Sequence, residues 1–272
     1  MKHYSMSPLE MIHSSIRNIN LILTLARKEV IGRYRGSIMG ILWSFFQPLF
    51  MLTIYSFVFS VVFKIRWGVQ GNSKIEFALV LFAGLVVFNF FTECINRSPV
   101  LILSNVNYVK KVVFPLEILT IVNLGSAFFH MLISLLVWFI FYVIFLGLPN
   151  ITALLLPLML LPLLFLTSGL SWFFASLGVY IRDVSQVINI LTTTLMFLSP
   201  IFYPLSAVPE KYRPYLLLNP LTPVIEQVRD ILMWGKYPNW FLFIAYLFLT
   251  LFIACLGFAW FQRTRKGFAD VI

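Results

Sequence analysis

Charge is scarce in this sequence. Only 11% of its 272 residues are Asp, Glu, Lys or Arg, against about 25% in an ordinary soluble domain. Hydrophobic residues make up 60% and aromatics 17%. A water-soluble globule of this size could not hide that much apolar surface, so a soluble enzyme and a disordered chain are both excluded. Cysteine is almost absent. Cys94 and Cys255 lie in or beside apolar runs and neither has a CxxC partner, which excludes a disulfide scaffold and a thiolate metal motif. The three histidines are scattered at His3, His13 and His130, and there is no HExxH. A metal site or histidine-based catalysis is therefore not expected. No GxxxxGK[ST] occurs either. Gly235-Lys236 lacks a glycine at the right distance upstream and is followed by Tyr237, so no P-loop holds ATP on this chain. The stretch Met1 to Pro8 has no apolar core of a signal peptide, and the first long apolar run reads as an uncleaved span.

What is present is a series of apolar runs. A membrane span needs about 20 apolar residues, and six segments qualify or nearly do: 38–63, 77–95, a part of 112–146, 151–179, 187–203 and 240–261. The expected fold is an all-α polytopic membrane protein with six transmembrane helices. The expected organisation is a cytoplasmic segment over 1–37, a six-span domain over 38–262 and a cytoplasmic tail over 263–272. Six spans place both termini on one side. Thirteen Lys/Arg fall on that side and seven on the other, so the bias puts both termini in the cytoplasm. The net charge of +10 belongs to this topology and to anionic headgroups, with no basic domain for nucleic acid.

Three stretches do not span. Residues 18–37 place Ile19, Leu23, Ala26, Val30 and Arg33 at a three-to-four spacing amid basic residues, which fits an amphipathic helix on the cytoplasmic leaflet. Gly32, Gly36 and Gly40 form a GxxxGxxxG stripe where a neighbouring helix could approach closely. Residues 97–115 are too polar to span and suit a short helix on the cytoplasmic face. Residues 199–240 carry seven prolines among Leu, Ile and Tyr. Broken apolar backbone near a membrane is tolerated when it is buried in protein or lines a cavity, so short re-entrant helices between spans five and six are expected.

Few groups in the spans carry chemistry. His130 lies inside the third span, where two readings stand open: a functional group, or a neutral imidazole bonded to a neighbouring helix. Glu93 and Glu117 sit near span ends. No carboxylate occupies a span centre, which argues against proton- or sodium-coupled transport. The many aromatics suit lipid-facing and packing roles, and stacked rings also suit a sugar.

Several strings then line up: Arg33-Tyr34-Arg35-Gly36-Ser37-Ile38-Met39-Gly40-Ile41-Leu42-Trp43 with Gln47-Pro48-Leu49, Asn107-Tyr108-Val109-Lys110-Lys111-Val112-Val113-Phe114-Pro115, Tyr180-Ile181-Arg182-Asp183-Val184, Ser199-Pro200-Ile201-Phe202-Tyr203-Pro204, Asn219-Pro220-Leu221-Thr222-Pro223 with Arg229 beyond, and Phe268-Ala269-Asp270. The ordered set resembles the membrane subunit of ABC-2 type exporters for polysaccharides and polyol phosphates. O-antigen and teichoic-acid export permeases are the nearest look, with capsule exporters more distant. The resemblance implies a homodimer in the bacterial inner membrane, paired with two separate ATPase subunits that hold ATP and Mg. It implies a cargo of lipid-linked glycan, usually on undecaprenyl pyrophosphate. It makes the 97–111 stretch, with Arg97, Asn107, Tyr108, Lys110 and Lys111, a coupling helix that docks into the ATPase, and it adds Arg182 and Asp183 in the turn after the fourth span. Trp43, Phe46, Tyr55, Phe88, Phe91, Phe197 and Tyr203 become channel-wall residues. Arg27, Lys28, Arg33 and Arg35 are available for the pyrophosphate at the cytoplasmic entrance. Two rivals are an ABC-2 exporter of drugs or small lipids, and a membrane-embedded glycosyl- or lipid-modifying enzyme. The enzyme lacks clustered acids: Asp183 and Asp270 are the only aspartates on the cytoplasmic side, with no DxD-like pair.

Overall fold

The computed structural model describes residues 7–58, 74–110 and 114–272. Among them every regular element is helical. Two helices open the chain, α1 (Pro8–Arg17) and α2 (Ile19–Arg33). Ser7 caps α1, its hydroxyl accepting from the Leu9 N–H at 3.2 Å, and Pro8 occupies the first turn where its missing N–H costs nothing. The amphipathic helix expected within 18–37 is thus part of a pair, broken at Asn18. Met11 and Ser14 of α1 and Ile22 and Val30 of α2 turn inward, whereas Ile19 and Leu23 remain exposed. The inward face of α2 meets Ile118 and Val122.

The glycine stripe does not form a helix contact within the chain. α2 stops at Arg33, and Gly36 and Gly40 take positive φ of 84° and 53°, a backbone shape that favours glycine. These residues turn the chain into a 3-10 turn at Gly40–Leu42 and then α3 (Trp43–Phe57).

The remaining helices are α4 (Lys74–Leu101), α5 (Val106–Lys110), α6 (Ile118–Leu146), α7 (Leu156–Met159), α8 (Leu161–Tyr180), α9 (Val184–Leu198), α10 (Arg213–Leu217), α11 (Thr222–Met233), α12 (Trp240–Thr264) and α13 (Phe268–Val271). Four segments are long and apolar enough to cross a membrane: Ile75–Leu101, Ile118–Leu146, Ile151–Tyr180 and Trp240–Val271. Gly40–Tyr55 and Val184–Leu198 are shorter apolar helices. They stand where spans over 38–63 and 187–203 were expected. Residues 59–63 lie outside the described residues, and α9 ends at Ser199-Pro200, where proline stops the ladder.

α4 is the axis of the fold. From Phe77 to Phe91 every residue except Asn89 is buried. α3, α6, α8, α9 and α11 all pack on it. Polar side chains fasten α6 to it: Trp138 donates to the Leu79 carbonyl at 3.0 Å and Asn123 to the Cys94 carbonyl at 3.1 Å. α8 and α12 cross at Gly169 and Gly257, where a Cβ on Gly257 would lie 2.0 Å from the Gly169 carbonyl oxygen. Small residues let backbones meet this closely in apolar surroundings, where packing replaces the hydrophobic drive. The outer faces of α6 and α12 expose Leu132, Leu136, Phe139, Phe248, Phe252 and Leu256, as a lipid-facing surface requires.

The 97–115 stretch is not one short helix. α4 continues to Leu101, so Arg97 belongs to the long helix, and a 3-10 turn at Leu103–Asn105 separates it from α5. The longer α4 also moves Glu93 inward from the helix end, by about 12 Å at 1.5 Å per residue. The proline-rich stretch folds into short helical turns, α10 and α11, and α11 is largely buried.

Candidate functional site

A polar crevice of about 430 Å³ opens between the end of α2, α3, α4 and α6. α2 carries Arg33 to its mouth, where the guanidinium pairs with Glu93 of α4. His130 of α6 completes the node. Its Nδ1 lies 2.8 Å from Arg33 Nη1 and 3.0 Å from Glu93 Oε1, and its Nε2 lies 3.2 Å from the Tyr34 hydroxyl. His130 Nδ1 either accepts from Arg33 or donates to Glu93, and Nε2 meets the Tyr34 hydroxyl, so the ring joins two other segments. A second pair, Arg97 with Glu29, ties α4 to α2 nearby. Burial raises the Glu29 carboxyl above its ordinary range, and the charge of Arg97 opposes that rise. Burial also raises the Tyr34 phenol, so Tyr34 stays neutral.

The four basic residues expected at the entrance do not form one cluster. Arg33 is engaged with Glu93 and His130. Lys28 lines a separate groove of about 340 Å³ with Glu29, Arg97, Asn105 and Tyr108. Arg27 and Arg35 are exposed and make no ion pair among the described residues.

The expected docking residues divide as well. Asn107 and Lys110 are exposed on α5, and Tyr108 stacks on Phe114 with ring centres 4.3 Å apart. Lys111 lies outside the described residues. Arg182 and Asp183 are exposed in the α8–α9 turn. α13 touches both α5 and α8, and so brings α5 and the end of α8 to one end of the molecule. Arg97 stands apart on α4, in its pair with Glu29.

Aromatic residues fall into three places. Trp43, Phe46 and Tyr55 lie on α3, with Phe46 stacked on Phe50 at 6.2 Å and Tyr55 lining the crevice. Phe197 is exposed at the end of α9, and its carbonyl accepts from the Tyr203 hydroxyl at 3.0 Å. Phe88 and Phe91 are buried in the core around α4.

Arg229 is more than a motif residue. It is completely buried on α11. Its guanidinium donates to the carbonyls of Val80 at 3.0 Å and Ile201 at 2.7 Å, to that of Pro200, and to Glu226 at 3.3 Å. It thereby ties α4 and the end of α9 to α11. Gly84 allows this, because a Cβ there would lie 2.6 Å from Arg229 Nη2. The signal in the sequence was a cation within the apolar run 219–233 of the proline-rich stretch, which by default carries a structural or functional task.

A family model described as "ABC-2 type transporter" matches residues 20–233, from the start of α2 to the end of α11. The chain belongs to the ABC-2 type transporter family. Among relatives of this ABC-2 chain, the O-antigen export system permease protein RfbA of Klebsiella pneumoniae is 25% identical over 93% of this chain and 95% of its own length. The protein of the same description from Myxococcus xanthus is 24% identical over the same shares. The polysialic acid transport protein KpsM of Escherichia coli is 28% identical over 76% of this chain and 79% of its own length. Family membership and the apolar helices make this ABC-2 chain a multi-pass membrane protein. The crevice and the α5 face both lie within the matched residues.

Proposed function

We propose that this chain is the transmembrane subunit of an ATP-driven exporter that moves a lipid-linked polysaccharide across the bacterial inner membrane. The observation that carries the reading is similarity along nearly the whole chain to export permeases for O-antigen. The absence of a P-loop motif agrees with a separate ATPase subunit. In this reading two copies form a homodimer with two ATPase subunits, which hold ATP and Mg. α3 and α9 serve as the first and fifth of six spans over 38–262, and α10 and α11 dip into the outer leaflet and return. Both termini, over 1–37 and 263–272, face the cytoplasm.

Closure of the ATPases then reaches the membrane through α5 and the α8–α9 turn. Asn107, Tyr108 and Lys110, with Lys111, Arg182 and Asp183, form the contact. α3 and α9 of the two copies part, and the glycan passes between walls that include Trp43, Phe46, Tyr55, Phe197 and Tyr203. Arg33 at the crevice mouth, with Arg27, Lys28 and Arg35 on the same interface segment, meets the pyrophosphate of the carrier, since guanidinium forks suit phosphate oxygens.

Deletion of the gene in its native host tests the reading. Loss of surface polymer with undecaprenyl-linked glycan trapped inside the cell is the expected result. A normal surface glycan would overturn it and favour an exporter of drugs or small lipids.

A further inference from the structure

The inner part of the crevice is not accounted for by phosphate binding. On α4, Asn89, Thr92, Glu93 and Asn96 follow the i, i+3, i+4, i+7 spacing of one helix face, and all four line the crevice. The rest of α4 between Phe77 and Phe91 is buried and mostly apolar, with Asn89 its one exposed residue. Across from this stripe, α3 contributes Gln47. The side chains of Gln47 and Asn89 make no hydrogen bond among the described residues, and Thr92 Oγ1 is buried without a partner there. The Asn96 side-chain oxygen, Oδ1, accepts from the Thr192 hydroxyl at 3.0 Å. Gln47 and Asn89 are exposed on the crevice surface, and amides among apolar helices are costly unless something polar meets them.

The chemistry of the stripe restricts what that is. Amides donate and accept at once, as sugar hydroxyls do. The charged side chains that line the crevice are paired within the chain: Arg33 with Glu93, and Arg97 with Glu29. The depth of the crevice therefore presents neutral hydrogen-bonding groups rather than net positive charge. An acyl chain or an apolar drug seated there would cover the amides of Gln47 and Asn89 and leave them unpaired, which sites of this kind reject strongly. The partly exposed ring of Tyr55 also lines the crevice and offers a surface for the C–H face of a sugar. The volume of about 430 Å³ lies at the small end of the range for small-molecule sites, roughly 300–1,000 Å³, and suits a short saccharide unit rather than a long polymer.

We infer that this crevice is a sugar-binding subsite within each protomer, in which Gln47, Asn89 and Asn96 hold the hydroxyls of a neutral saccharide unit next to the Arg33–Glu93–His130 node. The inference rests on the reading that the cargo is a lipid-linked glycan, and it adds that the membrane subunit itself recognises sugar.

The test uses the full chain with its ATPase in lipid nanodiscs. Two probes are compared: undecaprenyl-linked glycan extracted from the deletion host, and undecaprenyl pyrophosphate without sugar. The wild-type complex is expected to bind the glycan-bearing lipid more tightly. In the double variant Gln47→Leu/Asn89→Leu that preference should fall at least tenfold, while Asn89→Gln, which keeps the amide, should retain most of it. A folded double variant with the wild-type preference would overturn the subsite. A wild-type complex with no preference for the glycan-bearing lipid would likewise overturn the subsite, whereas the exporter reading falls only if the deletion host keeps a normal surface glycan.

Discussion

The carboxylate of Glu117 is held by Arg265, 148 residues away in sequence, at 2.5 Å. Both side chains are buried. Ser14 of α1 donates to the other carboxylate oxygen at 2.8 Å, and Arg265 also donates to the Phe114 carbonyl at 2.7 Å. The Trp172 indole donates to the Glu117 carbonyl at 3.0 Å. One ion pair thus fastens the N-terminal helix, the segment after α5, the start of α6, α8 and the C-terminal tail at a single point.

Removing one partner leaves the other charge buried and unpaired, which costs roughly 3–5 kcal/mol. Arg265→Ala is therefore expected to lower the melting temperature of the solubilised protein by several degrees and to weaken its association with the ATPase. Pull-down of the ATPase and a thermal scan check both effects. An unchanged melting temperature would mean that the pair contributes nothing net.

Arg229 offers a sharper case. Its four acceptors come from three segments, and a lysine cannot reproduce the planar fork that meets them. Arg229→Lys should lose most of the stability that Arg229→Met loses, about 3 kcal/mol or more. Folded yield by size-exclusion chromatography distinguishes the two. Wild-type yield from Arg229→Lys would mean that charge alone suffices.

The α8–α12 crossing leaves no room at Gly257. Gly257→Leu forces the two backbones apart, and overpacking of this kind costs typically 1–3 kcal/mol, with more where backbone is struck. Gly32→Ala is the control: no atom lies within 4 Å of a Cβ there, and alanine favours the helix by about 1 kcal/mol. Protease resistance of the two variants should move in opposite directions.

On α5, Tyr108 stacks on Phe114 while Lys110 points to solvent. The double variant Tyr108→Ala/Lys110→Ala is expected to weaken ATPase association roughly tenfold, about 1.4 kcal/mol, with the helical membrane domain still folded. Titration of the purified ATPase subunit onto the reconstituted chain measures this directly. Wild-type affinity would remove α5 from the contact.

Much was readable before any coordinates. Long apolar runs at 151–179 and 240–261 became long helices because hydropathy and length alone decide that a segment must hide its backbone polar groups in a helix. The missing P-loop and the ordered motifs pointed to the family that residues 20–233 match. The shorter elements were less legible. Gly32, Gly36 and Gly40 have the spacing of a packing stripe, yet Gly36 and Gly40 bend the chain with positive φ, a property that spacing does not encode. Arg97 is near Lys110 in sequence but sits on α4, because helix geometry continued through Pro99 to Leu101.

The sequence by itself determined the solvent of this protein, its helical class and its family. Those follow from composition and local pattern, which act residue by residue. Only the tertiary structure decided that Arg33, Glu93 and His130 meet, that Glu117 finds Arg265, and that Asn89 faces an open crevice while its neighbours are buried. Such contacts join segments up to 148 residues apart. They depend on how helices cross, and a crossing is set by the summed fit of many side chains rather than by any one stretch of sequence.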